Sequence, residues 1–223
     1  MVILICGTSP TFSAFEVKRP RLYFNLNTGY LPSDYYCELG GMFKTWKQIN
    51  TDIVGIEHHR RFFVEENVPA ANVILGESSI RNILERCDVI MTETALPSAN
   101  VMTWMAKEKH NLKESRPDVV KTLLFSWLMY LRDNYSVEFV DFMMNEMLTS
   151  NKYMGCNMYI SRKALSDKYC EFLFPMLEGF SIDKMHGNME PRLFGYLSEY
   201  VMGYWMKWNE YSIHPVRRMT INA

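Results

Sequence analysis

Apolar and polar positions alternate along the chain with two periods. One stretch carries both. Between Ser33 and Ile49, the residues Tyr35, Leu39, Met42, Trp46 and Ile49 recur at spacings of three and four, which predicts a helix with one apolar face. Ser33 suits its N-cap and Asp34 its positive end. Asn50, Thr51 and Asp52 break the pattern with turn chemistry. Ile53, Val54, Gly55 and Ile56 follow as a short apolar run of β type, and the run ends in Glu57, His58, His59, Arg60 and Arg61. A buried strand that stops at five ionisable residues puts them at a sheet edge, where α/β proteins bind ligands.

The same reading extends to both sides. Val2 to Cys6 predicts a first strand, and Gly7-Thr8-Ser9-Pro10 the loop after it; Thr8 sits where such loops receive a nucleotide. Tyr23 to Leu26 is a short strand and Asn27-Thr28-Gly29 a turn. Ser79 to Cys87 is a helix with Ile80, Ile83 and Leu84 inward, and Asp88 to Met91 a further strand. Helix followed by buried strand, twice over, predicts an α/β fold with a mainly parallel central sheet flanked by helices. Helices are expected from Met102 towards His110, from Pro117 to Asn134 and from Val137 to Leu148. Tyr153 to Ile160 reads as one strand, interrupted by Asn157, whose amide needs a partner. A helix from Arg162 is bent or restarted at Pro175. Pro191 opens the last helix, to Trp208, with Arg192, Tyr196 and Glu199 on one stripe. The segment from Ser212 to Ala223 is expected to be a flexible tail.

Length and composition narrow the classes. With 223 residues, 48% hydrophobic and 22% charged, the chain suits one sizeable globular domain spanning residues 1–223. A formal net charge of −1 gives no electrostatic case for nucleic acid. Five cysteines without CxxC spacing read as free thiols in a reducing compartment. No apolar run approaches a membrane span. The chain lacks HExxH, GxxxxGK[ST] and any Asp-x-Asp.

Chemistry concentrates at Glu57 to Arg61. Two adjacent guanidiniums, Arg60 and Arg61, suit a diphosphate. Alternation along an extended chain would put Glu57, His59 and Arg61 on one side and His58 with Arg60 on the other. Neighbouring His58 and His59 then do not easily bind one metal together, which makes a metal site on Glu57, His58 and His59 the weaker alternative; acid–base catalysis by a histidine or Glu57 is another. The competing view is a salt-bridged loop edge.

YYCELGGMFKTWKQINTDIVGIEHHRRFF resembles the bacterial capsular and exopolysaccharide glycosyltransferase family whose signature runs YCELTxxYWxWKN, then GLxHYRRYF. Three further pieces fit in order: Asn27-Thr28-Gly29 with DxTGDNIS; Asn157 to Ile160 and Tyr169 to Pro175 with NMFI and YCEWLFPIL; Arg192 to Glu199 with RxFGFLxER. The resemblance implies a GT-A-like fold and transfer of a hexosyl group, galactofuranosyl in some members, from a UDP-sugar to a lipid-linked or cell-surface glycan. It implies an inverting reaction with Glu38, Glu57, His58 or Glu199 as the base. It places Arg60, Arg61, His59, Asn27, Asn157 and Arg192 on the donor, beside Thr8 of the first strand-end loop. Without an Asp-x-Asp, arginine takes the place of a metal on the diphosphate, with manganese or magnesium as the alternative. The implied setting is the cytoplasm, at the inner face of the membrane or in a biosynthetic complex. Two other readings remain: a non-catalytic sugar-binding or assembly module, and a nucleic-acid-modifying glycosyltransferase of viral type.

Overall fold

The structure is a computed structural model. It describes residues 1–7, 20–29, 31–65, 73–107, 117–181 and 192–221. Thr8 and the end of the helix expected near His110 lie outside the described residues.

The centre is an eight-stranded sheet. β1 (Val2–Gly7) lies between β2 (Arg21–Asn25) and β3 (Ile53–His58), parallel to both. On its other side β3 pairs antiparallel with β8 (Tyr159–Arg162), which pairs antiparallel with β5 (Val89–Met91). β9 (Ile213–Pro215) extends the sheet parallel to β5. β4 (Arg61–Phe63) turns back from the end of β3 and pairs with β10 (Arg218–Thr220). Only β4 and β8 oppose the common direction, so the sheet is mainly parallel, as expected.

Alternation along the strands sorts their side chains onto two faces. Ile3, Ile53, Ile90 and Ile160 pack against α3 (Glu77–Leu84) through Ile80 and Leu84. Leu4, Cys6, Ile56, Met91 and Tyr159 face the larger helical layer. That layer comprises α2 (Leu39–Gln48), α5 (Pro117–Asn134), α6 (Val137–Thr149), α7 (Lys163–Phe180) and α8 (Leu193–Trp208). A two-stranded sheet, β6 (Thr94–Ala95) with β7 (Lys152–Tyr153), and α4 (Val101–Lys107) complete the described elements near one end.

Several expectations change. The central helix is two pieces, α1 (Ser33–Tyr36) and α2, because Cys37 takes φ 48° between them. Leu39 and Met42 are fully buried, but Trp46 is half-buried, with its ring stacked on Phe174 at 5.5 Å. The single strand expected over Tyr153 to Ile160 is β7 and β8, since Cys156 (φ 74°) and Asn157 (φ 51°) turn the chain between them. α7 continues through Pro175. The tail expected to be flexible carries β9 and β10: Val216 and Met219 are buried, so ordering this segment removes apolar surface from water.

Candidate active site

The carboxyl end of β3 and the segment that follows β5 open onto a cleft of about 400 Å³. β3 and its hairpin contribute His58, Arg60 and Arg61. β10 adds Arg218. The β6–β7 side adds Thr94 and Tyr153, with Trp104 of α4 against the Tyr153 ring at 5.0 Å. α8 and the residue before it supply Arg192, Tyr196 and Glu199.

The hairpin decides who faces the cleft. His58 pairs with Arg61 across a two-residue turn formed by His59 and Arg60. A reverse turn ends the two-residue alternation of a strand. Arg60 and Arg61 therefore both line the cleft, where strict alternation would have admitted one of them. Glu57 lies on the other side of the sheet. Its carboxylate is fully buried, accepts from Arg21 Nε at 2.6 Å and Arg21 Nη2 at 2.9 Å, and accepts the Phe63 N–H at 3.1 Å. The expectation of Glu57 as a base meets an occupied carboxylate outside the cleft.

His58 and Glu38 are brought together. His58 Nε2 lies 2.8 Å from Glu38 Oε1, with both side chains buried. His58 Nδ1 accepts a long 3.4 Å bond from the Arg60 N–H. An accepting Nδ1 leaves the proton on Nε2, aimed at Glu38. Both ring nitrogens are therefore used, and the pair steadies the hairpin that carries the arginines. His59 does not line the cleft. Its ring lies 4.3 Å from that of His58, and among the described residues its buried Nδ1 has no hydrogen-bond partner. Burial first, then the neighbouring His58 and Arg60, lower its imidazole to about 4.

The remaining expected residues divide. Asn157 is buried and structural: its Nδ2 donates to Gly195 O at 2.9 Å and its Oδ1 accepts from Ser198 at 2.9 Å, which ties the approach to β8 to the first two turns of α8. Asn27 is exposed in a 3-10 turn, its N–H bonded to Asn25 Oδ1, away from the cleft. Arg192 is held firmly: its backbone is left-handed (φ 61°), its N–H donates to Asp34 O at 2.6 Å, and its guanidinium lies 5.4 Å from the Tyr196 ring centre. Glu199 accepts the Tyr153 hydroxyl at 3.0 Å.

Sequence reasoning missed Arg218, Tyr153, Trp104 and Cys156. Arg218 donates to Cys156 Sγ across the cleft wall. Spaced apolar residues Ile213, Val216 and Met219 were the available sign that the last segment is ordered.

Charge balance sets the chemistry. Four arginines line the cleft, and among the described residues none of them is in an ion pair with a carboxylate. That separates the cleft from a salt-bridged edge and suits it to a polyanion. A divalent cation fits poorly. Such ions want about six oxygen ligands, whereas Glu199 is the carboxylate that the cleft offers, and among the described residues no three acidic, histidine or cysteine side chains converge.

Fold and site thus define a mainly parallel α/β domain with an arginine-rich cleft at the ends of its strands. Residues 32–210 match the family described as a domain of unknown function, DUF4422, and the chain belongs to that family. No curated protein matches the chain. Among solved structures it is similar to one titled "WbbM bifunctional glycosytransferase apo structure", with a TM-score of 0.75 and 17% identity. The match covers 100% of this chain and 45% of that one, so the chain spans less than half the length of its structural neighbour. Among the described residues, no helix is long and apolar enough to cross a membrane.

Proposed function

We propose that the protein is a glycosyltransferase that moves a hexosyl group from a UDP-sugar to a glycan acceptor. The observation that carries this is the set of four arginines lining the cleft that, among the described residues, have no carboxylate partner. The fold shared with a glycosyltransferase supports it. In this reading Arg60, Arg61 and Arg218 face the donor diphosphate. The acceptor hydroxyl gives its proton to Glu199 and its oxygen attacks the anomeric carbon. The bond from that carbon to the diphosphate breaks, and UDP leaves with the electron pair. The charge gained by the leaving oxygen is met by guanidiniums already in place, so stabilisation is greatest in the transition state. His58 and Glu38 act through the hairpin, as positioning residues. A single displacement of this kind inverts the anomeric centre. UDP-galactofuranose is the first donor to test, given the resemblance of the signature segments, and a membrane-face or polysaccharide-assembly setting follows from the same source.

The test is a UDP-sugar panel with donor hydrolysis as readout, alongside calorimetric titration of UDP in chelator and then in manganese. UDP is expected to bind without metal. Arg61→Lys keeps the charge but loses the fork, and is expected to lower hydrolysis by about 10²–10³ with the thermal midpoint retained. Hydrolysis of no donor, with UDP bound, would favour the non-catalytic sugar-binding module. UDP binding only with manganese would return the diphosphate to a metal.

A further inference from the structure

We propose that the α8 wall of the cleft, Arg192 with Tyr196, receives an anionic group on the acceptor, either a phosphate or a carboxylate. This rests on the glycosyl-transfer reading and goes beyond it in naming the acceptor's chemistry.

The donor diphosphate presents one negative charge on each phosphate. Arg60, Arg61 and Arg218 already exceed that on the β4–β10 side, and Arg192 adds another guanidinium from a different element. Glu199 is the carboxylate among the lining residues, and it offsets one cation only. A cleft filled by the donor alone would keep surplus positive charge facing the acceptor. An acceptor carrying an anion removes that surplus.

Arg192 and Glu199 are seven residues apart, which along a helix is roughly 10 Å. Tyr196 lies between them on the same stripe. Tyr196 is buried and backs this wall, so a pyranose laid along α8 over it would bring one substituent to Arg192 and a hydroxyl on its far side to Glu199. A guanidinium fork matches phosphate and carboxylate alike.

Arg192 adopts a left-handed backbone that few residues other than glycine adopt. Its N–H is bonded to Asp34, and its side chain is flanked by Tyr196 and by Cys37, whose thiol burial and Glu38 raise to about 12. A strained, many-sided hold on one arginine is what a site under geometric demand requires.

The experiment saturates the protein with UDP and then titrates methyl glucoside, glucose 1-phosphate and glucuronate by calorimetry. Both anionic sugars are expected to bind at least tenfold more tightly than the neutral glycoside, and the tighter of the two identifies the group. Arg192→Gln is expected to bring the three sugars within twofold of one another. Arg192→Lys, the gentler change to the fold, is expected to keep part of the preference. Equal binding of the three sugars by the parent protein would overturn the proposal. So would a tenfold loss of UDP affinity in Arg192→Gln, because Arg192 would then belong to the donor diphosphate. Failure of UDP itself to bind the parent is a separate result, and it would remove the glycosyl-transfer reading together with this inference.

Discussion

Glu57 and Arg61 are four residues apart and have unrelated roles. Glu57 holds Arg21 in a dry site beneath the hairpin. Replacing it by Gln keeps the shape but leaves the Arg21 charge buried and uncompensated. The expected cost is about 3–5 kcal/mol, measured by urea unfolding. A Glu57→Gln protein of unchanged stability that had lost donor hydrolysis would restore Glu57 as a candidate base. His59 gives a pH signature. Its folded-state pKa of about 4 lies below the ordinary value near 6.5. Between these values the unfolded chain binds the proton that the native state refuses. The stability contributed by neutral His59 is therefore complete above pH 6.5 and is lost as the pH falls towards 4. The thermal midpoint of His59→Gln should decline less between pH 7 and 5 than that of the parent. Parallel declines would show that His59 does not carry the effect.

At the scale of elements, the contact between α2 and β1 depends on a missing side chain. A Cβ on Gly41 would run into Cys6 Sγ on β1. Gly41→Ala is expected to destabilise by about 1–3 kcal/mol through overpacking. Cys6→Ala removes the sulfur and leaves the Cys6 Cβ 3.7 Å from the added methyl, an ordinary contact. The double variant should then be more stable than the sum of the single effects by about 1 kcal/mol, a coupling typical of touching residues. Strict additivity in denaturant titrations would mean that the helix shifts to absorb the methyl group.

The whole molecule closes through its last strands. β9 completes one edge of the sheet beside β5, and β10 covers β4. A chain ending at Tyr211 would lose both, with the burial of Val216 and Met219 and the guanidinium of Arg218. Two buried side chains are worth about 3–6 kcal/mol. Truncation is expected to lower stability by that order in urea titrations and to weaken UDP binding in the fraction that stays folded. Parent-like unfolding of the truncated chain would mean that these strands add nothing to the core.

Local pattern was enough for much of this protein. The apolar stripe of α2, the β-type run of β3, its abrupt ending in ionisable residues, and the Arg192–Tyr196–Glu199 stripe all follow from spacings shorter than eight residues, because helix and strand periods act over that range. The helix–strand alternation likewise made the mainly parallel α/β fold legible. What lay beyond it depends on contacts between distant segments. Alternation could not tell that a turn at His59–Arg60 would bring both arginines to the cleft. It could not pair Glu57 with Arg21, 36 positions away, or tie Asn157 to Gly195 and Ser198. It could not bring Arg218 of β10 to Cys156. Each of these is settled by which strands and helices meet. A polar side chain buried by that meeting must find a partner there, whatever its neighbours in the chain suggest.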